Sequence, residues 1–369
     1  MPQPFHFFAA LAASTAIALA AAAMTRADEP LASGAPRRGD RFQNSHVEFE
    51  PKGLGALLKW KIEASRAGLP KPAQQATPRV AADLAFLRSN ARAGGAMVPA
   101  VTWIGHASTL IQVGGSNILT DPIFSERASP VSFAGPKRHT PPGVALGELP
   151  HVDAVLISHN HYDHLDEPSV RALAAQSGGS PLFIVPLGVK AWLAAVGVER
   201  AVELDWWQSA RVGAVEIVFT PAQHWSGRSL GDRMATLWGS YAIFAPDFQA
   251  WFAGDTAYSE DFAEIHRRFA ERHGPGRGFD LALVPIGAYE PRWFMRAQHV
   301  DPTEAVQIHR DVHAERSLGI HWGTFELTDE SLDEPPRSLA RATHQAGLAD
   351  DAFTVLAIGE TRRFAARPR

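Results

Sequence analysis

The sequence predicts an α/β fold of the αβ/βα four-layer sandwich type, and three patterns carry that expectation. Strand-like apolar runs fall into two groups with helical segments between them. Several of those runs end on a histidine or aspartate that opens a polar loop, so one end of the strands collects polar side chains. No internal repeat of fixed period is present, which excludes a solenoid or propeller.

The elements follow from periodicity and punctuation. Val101 to Ile104, Leu110 to Val113 and Asn117 to Thr120 read as successive strands, with Gly114-Gly115 as a hairpin turn between the last two. Helices are expected over Val80 to Arg92, Pro168 to Ala175, Ser259 to His273, Pro302 to His313 and Arg337 to Gln345. The fourth is opened by Asp301 as N-cap and Pro302 at its first position. Leu54, Leu57, Leu58 and Trp60 also have helical spacing. They are read either as packing on the sandwich or, with Lys52, Lys59 and Lys61 beside them, as a membrane-facing amphipathic element.

The most informative stretch is Ser158-His159-Asn160-His161-Tyr162-Asp163-His164, which follows the apolar run Ala154 to Ile157. Three imidazoles and a carboxylate at the end of a buried strand need compensation, and a dication supplies it directly. On a helix, positions i and i+2 point apart, so His159 and His161 converge only in a tight loop. His224 after Val215 to Thr220, Asp255 after Trp251 to Gly254, and His321 after Ser317 to Ile320 repeat the same strand-then-ligand arrangement.

These residues divide into two expected zinc sites. His159, His161 and His224 hold the first ion; Asp163, His164 and His321 hold the second; Asp255 bridges, and an open position on each is left for a shared hydroxide. Imidazole and carboxylate donors without sulfur suit zinc, while iron or manganese fit the ligand type as well. A glutamate at the second motif position would favour di-iron redox chemistry; His161 stands there, which favours hydrolysis. Asp163 is the candidate to orient the nucleophile or carry its proton, and Asp121, near a strand end, to hydrogen-bond a ligand histidine.

At these positions the chain resembles the metallo-β-lactamase superfamily of αβ/βα sandwich hydrolases. Within it, the chain looks most like the N-acyl-phosphatidylethanolamine-hydrolysing phospholipase D branch. The matching segments include Thr102 to Ala107, Leu119 to Phe124, Gly135 to Arg138, Pro221 to Trp225, Gly254 to Thr256, Ala288 to Phe294, Gln298 to Pro302 and His321 to Phe325, with Arg41 to Asn44 as a shorter match. The resemblance implies the same zinc assignment, and places Tyr162, Gln298 and His299 near a substrate head group. It also implies a possible homodimer. His299 is expected to polarise a phosphoryl group or protonate a leaving oxygen, or else to act as a structural histidine beside the metal.

The function expected is therefore a binuclear zinc phosphodiesterase of phospholipase D type. It would cleave N-acyl-phosphatidylethanolamine, or a related phospholipid, to N-acylethanolamine and phosphatidic acid by attack of metal-bound hydroxide on phosphorus. The alternatives are a zinc hydrolase of another bond (lactone, amide or cyclic phosphodiester) and a non-catalytic envelope protein that retains the fold. Trp206-Trp207, Trp225 and Trp293-Phe294 are candidates to line an acyl groove, with Trp206-Trp207 equally readable as core. Lys137 and Arg138 are either an attraction for an anionic head group or a solvated basic pair.

Composition sets outer limits. A chain of 369 residues that is 46% hydrophobic can bury one large core. A net charge of −4 argues against nucleic acid as a partner. The absence of cysteine excludes disulfides, thiolate ligands and a lipidated cysteine. Residues 1–27, apolar or small from Phe7 to Met24 but without a leading Lys or Arg, read as a signal peptide cleaved near Ala27, with an uncleaved anchor or a tail as alternatives. Residues 28–50 read as an extended arm and 51–369 as the hydrolase domain, in an exported enzyme that is periplasmic or membrane-associated, in peripheral contact with lipid.

Overall fold

The computed structural model describes residues 34–49, 52–229 and 231–367, so the expected signal peptide and the first part of the arm lie outside the described residues. Ala35–Arg369 forms one compact unit. Two seven-stranded sheets organise it. The first runs, in spatial order, Thr361–Arg363, Ala100–Gly105, Ser108–Val113, Ser116–Thr120, Ala154–Leu156, Leu182–Pro186 and Ala201–Leu204. The second runs Phe353–Val355, Arg316–Ile320, Leu281–Pro285, Phe248–Phe252, Ser240–Ala245, Val215–Thr220 and Ser209–Val212. Each sheet is mixed. Hairpins connect its consecutive antiparallel strands, and helices cross over between the parallel strands, except that a long loop with one 3-10 turn, Leu146–Glu148, joins Ser116–Thr120 to Ala154–Leu156.

The sheets pack face to face. Trp103, Ile111, Ile118, Tyr241 and Phe252 fill the space between them, each essentially inaccessible. Full burial of an apolar side chain is worth roughly 1.5–3 kcal/mol, so this layer contributes strongly to the stability of the sandwich. Helices Leu84–Ala91, Glu167–Ala174 and Val189–Ala195 cover the outer face of the first sheet through Leu87, Val170 and Leu193. Helices Asp261–His273, Pro302–Asp311 and Glu334–Gln345 cover the second through Phe262, Ile265, Ile308 and Leu339. The four-layer αβ/βα sandwich expected from the sequence is the observed fold.

Where boundaries differ, tertiary contacts decide. The first predicted helix begins at Leu84 rather than Val80, because the Val80 amide donates to Ile358 and the Asp83 carboxylate caps Phe86. The helix after Asp301 starts as expected, with a complete capping box between Asp301 and Glu304. Leu54–Ala67 is helical; it buries Trp60 and Ala64 and leaves Leu54 65% and Leu58 62% exposed. Residues 35–49 pack on the sandwich, with Phe42 and Phe49 buried and a short hairpin pairing Arg37–Arg38 with Arg41–Phe42. Trp206 is core. Arg138 is half-buried and donates through Nε and Nη2 to the carbonyls of Ser125 and Ile123.

Candidate metal centre

The loop 158–164 leaves the end of strand Ala154–Leu156, and its geometry is fixed by Asp121, which closes the neighbouring strand. The Asp121 carboxylate accepts the Ser158 amide (2.7 Å), the Ser158 hydroxyl (2.6 Å) and Nδ1–H of His164 (2.6 Å). That last bond turns Nε2 of His164 toward the centre, the contact to a ligand histidine that the sequence suggested for Asp121. Amides of His164 and Leu165 both return to the carbonyl of His161, closing the tight turn. The Tyr241 hydroxyl, rising from the second sheet, lies 2.8 Å from the carbonyl of Ile157 and so ties this strand end to the facing sheet.

Two groups of ligand atoms result. Nδ1 of His161 lies 2.7 Å from Nε2 of His159 and 3.4 Å from Nε2 of His224, whose Nδ1 is held by the carbonyl of Gln298 at 2.8 Å. In the second group, Oδ2 of Asp163 lies 3.4 Å from Nε2 of His164 and 3.4 Å from Nε2 of His321. Between them, Oδ2 of Asp255 stands 3.1 Å from His164, 3.2 Å from His321 and 3.9 Å from His224. Donors about 2.1 Å from a tetrahedral ion sit about 3.4 Å apart, so most of these separations match the edges of such a shell. All seven residues expected as ligands are brought together. Gly254, at φ 62°, permits the approach of the Asp255 loop, since a Cβ there would fall 2.6 Å from that of Ser158.

The donor set fits a cation. Nε2 of His164, Nε2 of His321 and Oδ1 of Asp255 are buried without a hydrogen-bond partner, an arrangement that costs free energy unless something binds them. Burial, reinforced by neighbouring imidazoles, holds His161 down at about 3, and burial keeps His224 at about 4, so both carry the neutral ring that ligates metal. Burial also opposes charge on His321, yet Asp255 and then Asp163 lift it to about 9. The same carboxylate field would attract a dication in place of that proton.

The centre opens into a cavity of about 310 Å³. Tyr162, Gln298 and His299 reach its wall, as do Trp60, Trp225 and Phe294. His299 presents an unpartnered Nδ1, 3.9 Å from Oδ2 of Asp255. Tyr162 donates to the carbonyl of Arg228 at 3.1 Å and has the Arg228 guanidinium over its ring. It also borders a second cavity of about 800 Å³, walled in part by Trp192 and Arg228.

Two residues at the centre escaped the sequence reading. His106 places Nε2 2.9 Å from Oδ2 of Asp163 and its ring 4.0 Å from that of His321. Its backbone carbonyl accepts the His321 amide. The signal was present, since His106 follows the strand Val101 to Ile104 in the same manner as the other ligands. Arg292 donates to the carbonyl of His299 at 2.9 Å and to Glu304 at 2.7 Å, clamping the cavity wall to the helix behind it. It lies in the matching segment Ala288 to Phe294, which did not by itself indicate this role.

A buried His/Asp cluster gathered at the strand ends of a two-sheet αβ/βα sandwich defines a metal-dependent hydrolase. The model of the Beta-lactamase superfamily domain matches residues 116–322, and the chain belongs to the metallo-β-lactamase superfamily. It is 44% identical over 291 residues to an uncharacterized protein of Mycobacterium tuberculosis, covering 78% of this chain and 73% of that one. It is 39% identical over 271 residues to N-acyl-phosphatidylethanolamine-hydrolyzing phospholipase D 1 of Caenorhabditis elegans, covering 70% of this chain and 74% of that one. Its fold is shared with an isothiocyanate hydrolase from Delia radicum gut bacteria, with a TM-score of 0.56 and 20% identity over 72% of this chain and 99% of that one.

Proposed function

We propose that the protein is a binuclear zinc phosphodiesterase of phospholipase D type, acting on N-acyl-phosphatidylethanolamine or a related phospholipid. The observation that carries this is the position of Asp255 Oδ2 between two ligand groups at the floor of a partly apolar cavity. The 39% identity to a relative named for that reaction supports the substrate class. Zinc held there would polarise phosphoryl oxygens and lower the pKa of a bound water from near 16 toward about 7.

The chain's own residues supply the rest. Asp163, its carboxylate held by His106, would orient the attacking water and take up its proton. His299 and Gln298 stand on the cavity wall where a phosphodiester would lie, and Arg292 fixes the His299 backbone. Trp60, Phe294 and Met295 offer an apolar surface for an acyl chain. The larger cavity across Tyr162 gives room for the remainder of a lipid that 310 Å³ alone would not hold. The exposed Leu54, Leu58 and Ile62, near Lys59 and Lys61, suit contact with an anionic lipid surface, in keeping with an exported, membrane-associated enzyme.

The test is zinc content measured with hydrolysis of N-acyl-phosphatidylethanolamine in mixed micelles, for the wild type and Asp255→Asn. About two zinc ions and release of N-acylethanolamine that Asp255→Asn abolishes would support the reading. Zinc without release would move the search to lactones, amides and other phosphodiesters.

A further inference from the structure

His46, Asp261 and Glu264, none of them among the seven residues of the centre, bring one imidazole nitrogen and two carboxylate oxygens within 4.8 Å of one another. Asp261 lies in the first turn of helix Asp261–His273 and has no exposed surface. Its Oδ2 accepts the Ser259 hydroxyl at 2.7 Å, while Oδ1 is buried with no hydrogen-bond partner and faces Nε2 of His46 at 3.4 Å. Glu264 gives Oε1 to Arg268 and leaves Oε2 3.9 Å from the same His46 nitrogen. Arg268 pairs with Glu264 through Oε1, so the partly exposed imidazole of His46 is the charged side chain that faces the fully buried Asp261 Oδ1. Burying a carboxylate oxygen without a partner is costly, and the spacing of the three atoms is that of donors around one ion.

We propose that His46 Nε2, Asp261 Oδ1 and Glu264 Oε2 form a separate binding site for a first-row divalent cation. One imidazole and two carboxylates are a donor set for zinc, manganese or cobalt rather than for magnesium or calcium. The site would fasten residues 43–49 to helix Asp261–His273. That segment holds the back of the first ligand group. Asn44 accepts the His224 amide at 3.0 Å, donates to the His224 carbonyl at 2.9 Å and accepts Nε1–H of Trp238 at 3.0 Å. Gln223 donates to the carbonyl of Val47 at 3.3 Å, and Phe49 packs against Trp225. A cation at His46 is therefore linked through a short stretch of chain to the backbone of His224.

The experiment is equilibrium dialysis of the full chain against buffered free zinc, with zinc per chain counted by mass spectrometry for wild type, His46→Gln and Glu264→Gln. Each variant is expected to hold one zinc ion fewer than wild type. The count is a difference between variants, so it is read independently of how many ions the Asp255 centre holds. Limited proteolysis supplies a second readout: zinc should protect the 43–49 segment in wild type and not in His46→Gln. Equal zinc content in wild type and both variants would overturn the proposal and leave an ion pair of protonated His46 with the two carboxylates. If His46→Gln fails to fold, Glu264→Gln, at a partly exposed side chain, decides alone.

Discussion

Oδ2 of Asp121 lies 2.6 Å from Nδ1 of His164 and 2.6 Å from the Ser158 hydroxyl, so one buried carboxylate sets both the orientation of a candidate ligand and the path of the loop that carries His159, His161 and Asp163. Replacing that carboxylate by an amide would keep the volume and lose the anionic acceptor; Asp121→Asn is therefore expected to weaken zinc binding about 10- to 100-fold. Zinc titration against a competing chelator measures this. An unchanged affinity would show that the loop alone positions His164.

His106 should act on the second ligand group in the same way. Its Nε2–H donates to the Asp163 oxygen that faces His164 and His321, and its ring lies against His321. His106→Phe keeps the ring packing and removes the donor. Zinc affinity is expected to fall about 10-fold or more, with His106→Gln recovering part of the loss. Wild-type affinity in His106→Phe would assign His106 to packing alone.

Removal of metal should be felt by the whole fold. The centre joins loops from both sheets, at 158–164 in the first and at His224, Asp255 and His321 in the second. A ligand that binds only the folded chain stabilises it by about 2.7 kcal/mol at a hundred times its dissociation constant. Chelation is therefore expected to lower the melting temperature by several degrees, and added zinc to restore it. No shift in calorimetry would remove the metal from the folded state's accounting.

The position of the centre was legible in the sequence because each ligand follows an apolar run, and burial fixes the direction of such a run. His159, His161, Asp163, His164, His224, Asp255 and His321 all share that grammar, and the structure gathers all seven. His106 shares it too, but a single histidine after a strand is weak evidence until the fold brings it against Asp163. Arg292 and Asn44 fall in the matching segments Ala288 to Phe294 and Arg41 to Asn44, but their roles were beyond reach, since each acts on the backbone of a residue that no local pattern pairs with it. The helix at Val80 was overextended because its first residues pair with the segment at Ile358, a contact so distant in sequence that no local pattern encodes it.

Acid should destabilise the fold through His309. Burial, and then the charge of Arg310, holds its pKa down at about 4, against about 6.5 in the unfolded chain. Between about pH 6.5 and about 4 the unfolded state therefore binds the proton and the folded state does not, so stability falls as pH falls through that window. Above about pH 6.5 both states are neutral and His309 contributes no pH dependence. The denaturant midpoint is expected to drop between about pH 7 and about pH 5, and His309→Asn, which keeps a polar group near Ser317, should reduce the slope. An identical slope in the variant would place the acid sensitivity elsewhere.

Lipid docking is separable from chemistry at Leu58. This side chain is 62% exposed on helix Leu54–Ala67, while Trp60 of the same helix is buried against Phe294 at the cavity wall. Leu58→Glu therefore costs little folding stability, since surface substitutions usually fall within about 0.5 kcal/mol. It also places a negative charge beside Lys59 and Lys61, opposing an anionic surface. Binding to vesicles containing anionic lipid is expected to fall several-fold in sedimentation assays, with turnover of a short-chain soluble phosphodiester unchanged. Loss of both would mean that the helix shapes the cavity through Trp60 and does not serve as a lipid contact. Retention of both would leave the exposed leucines without a part in substrate capture.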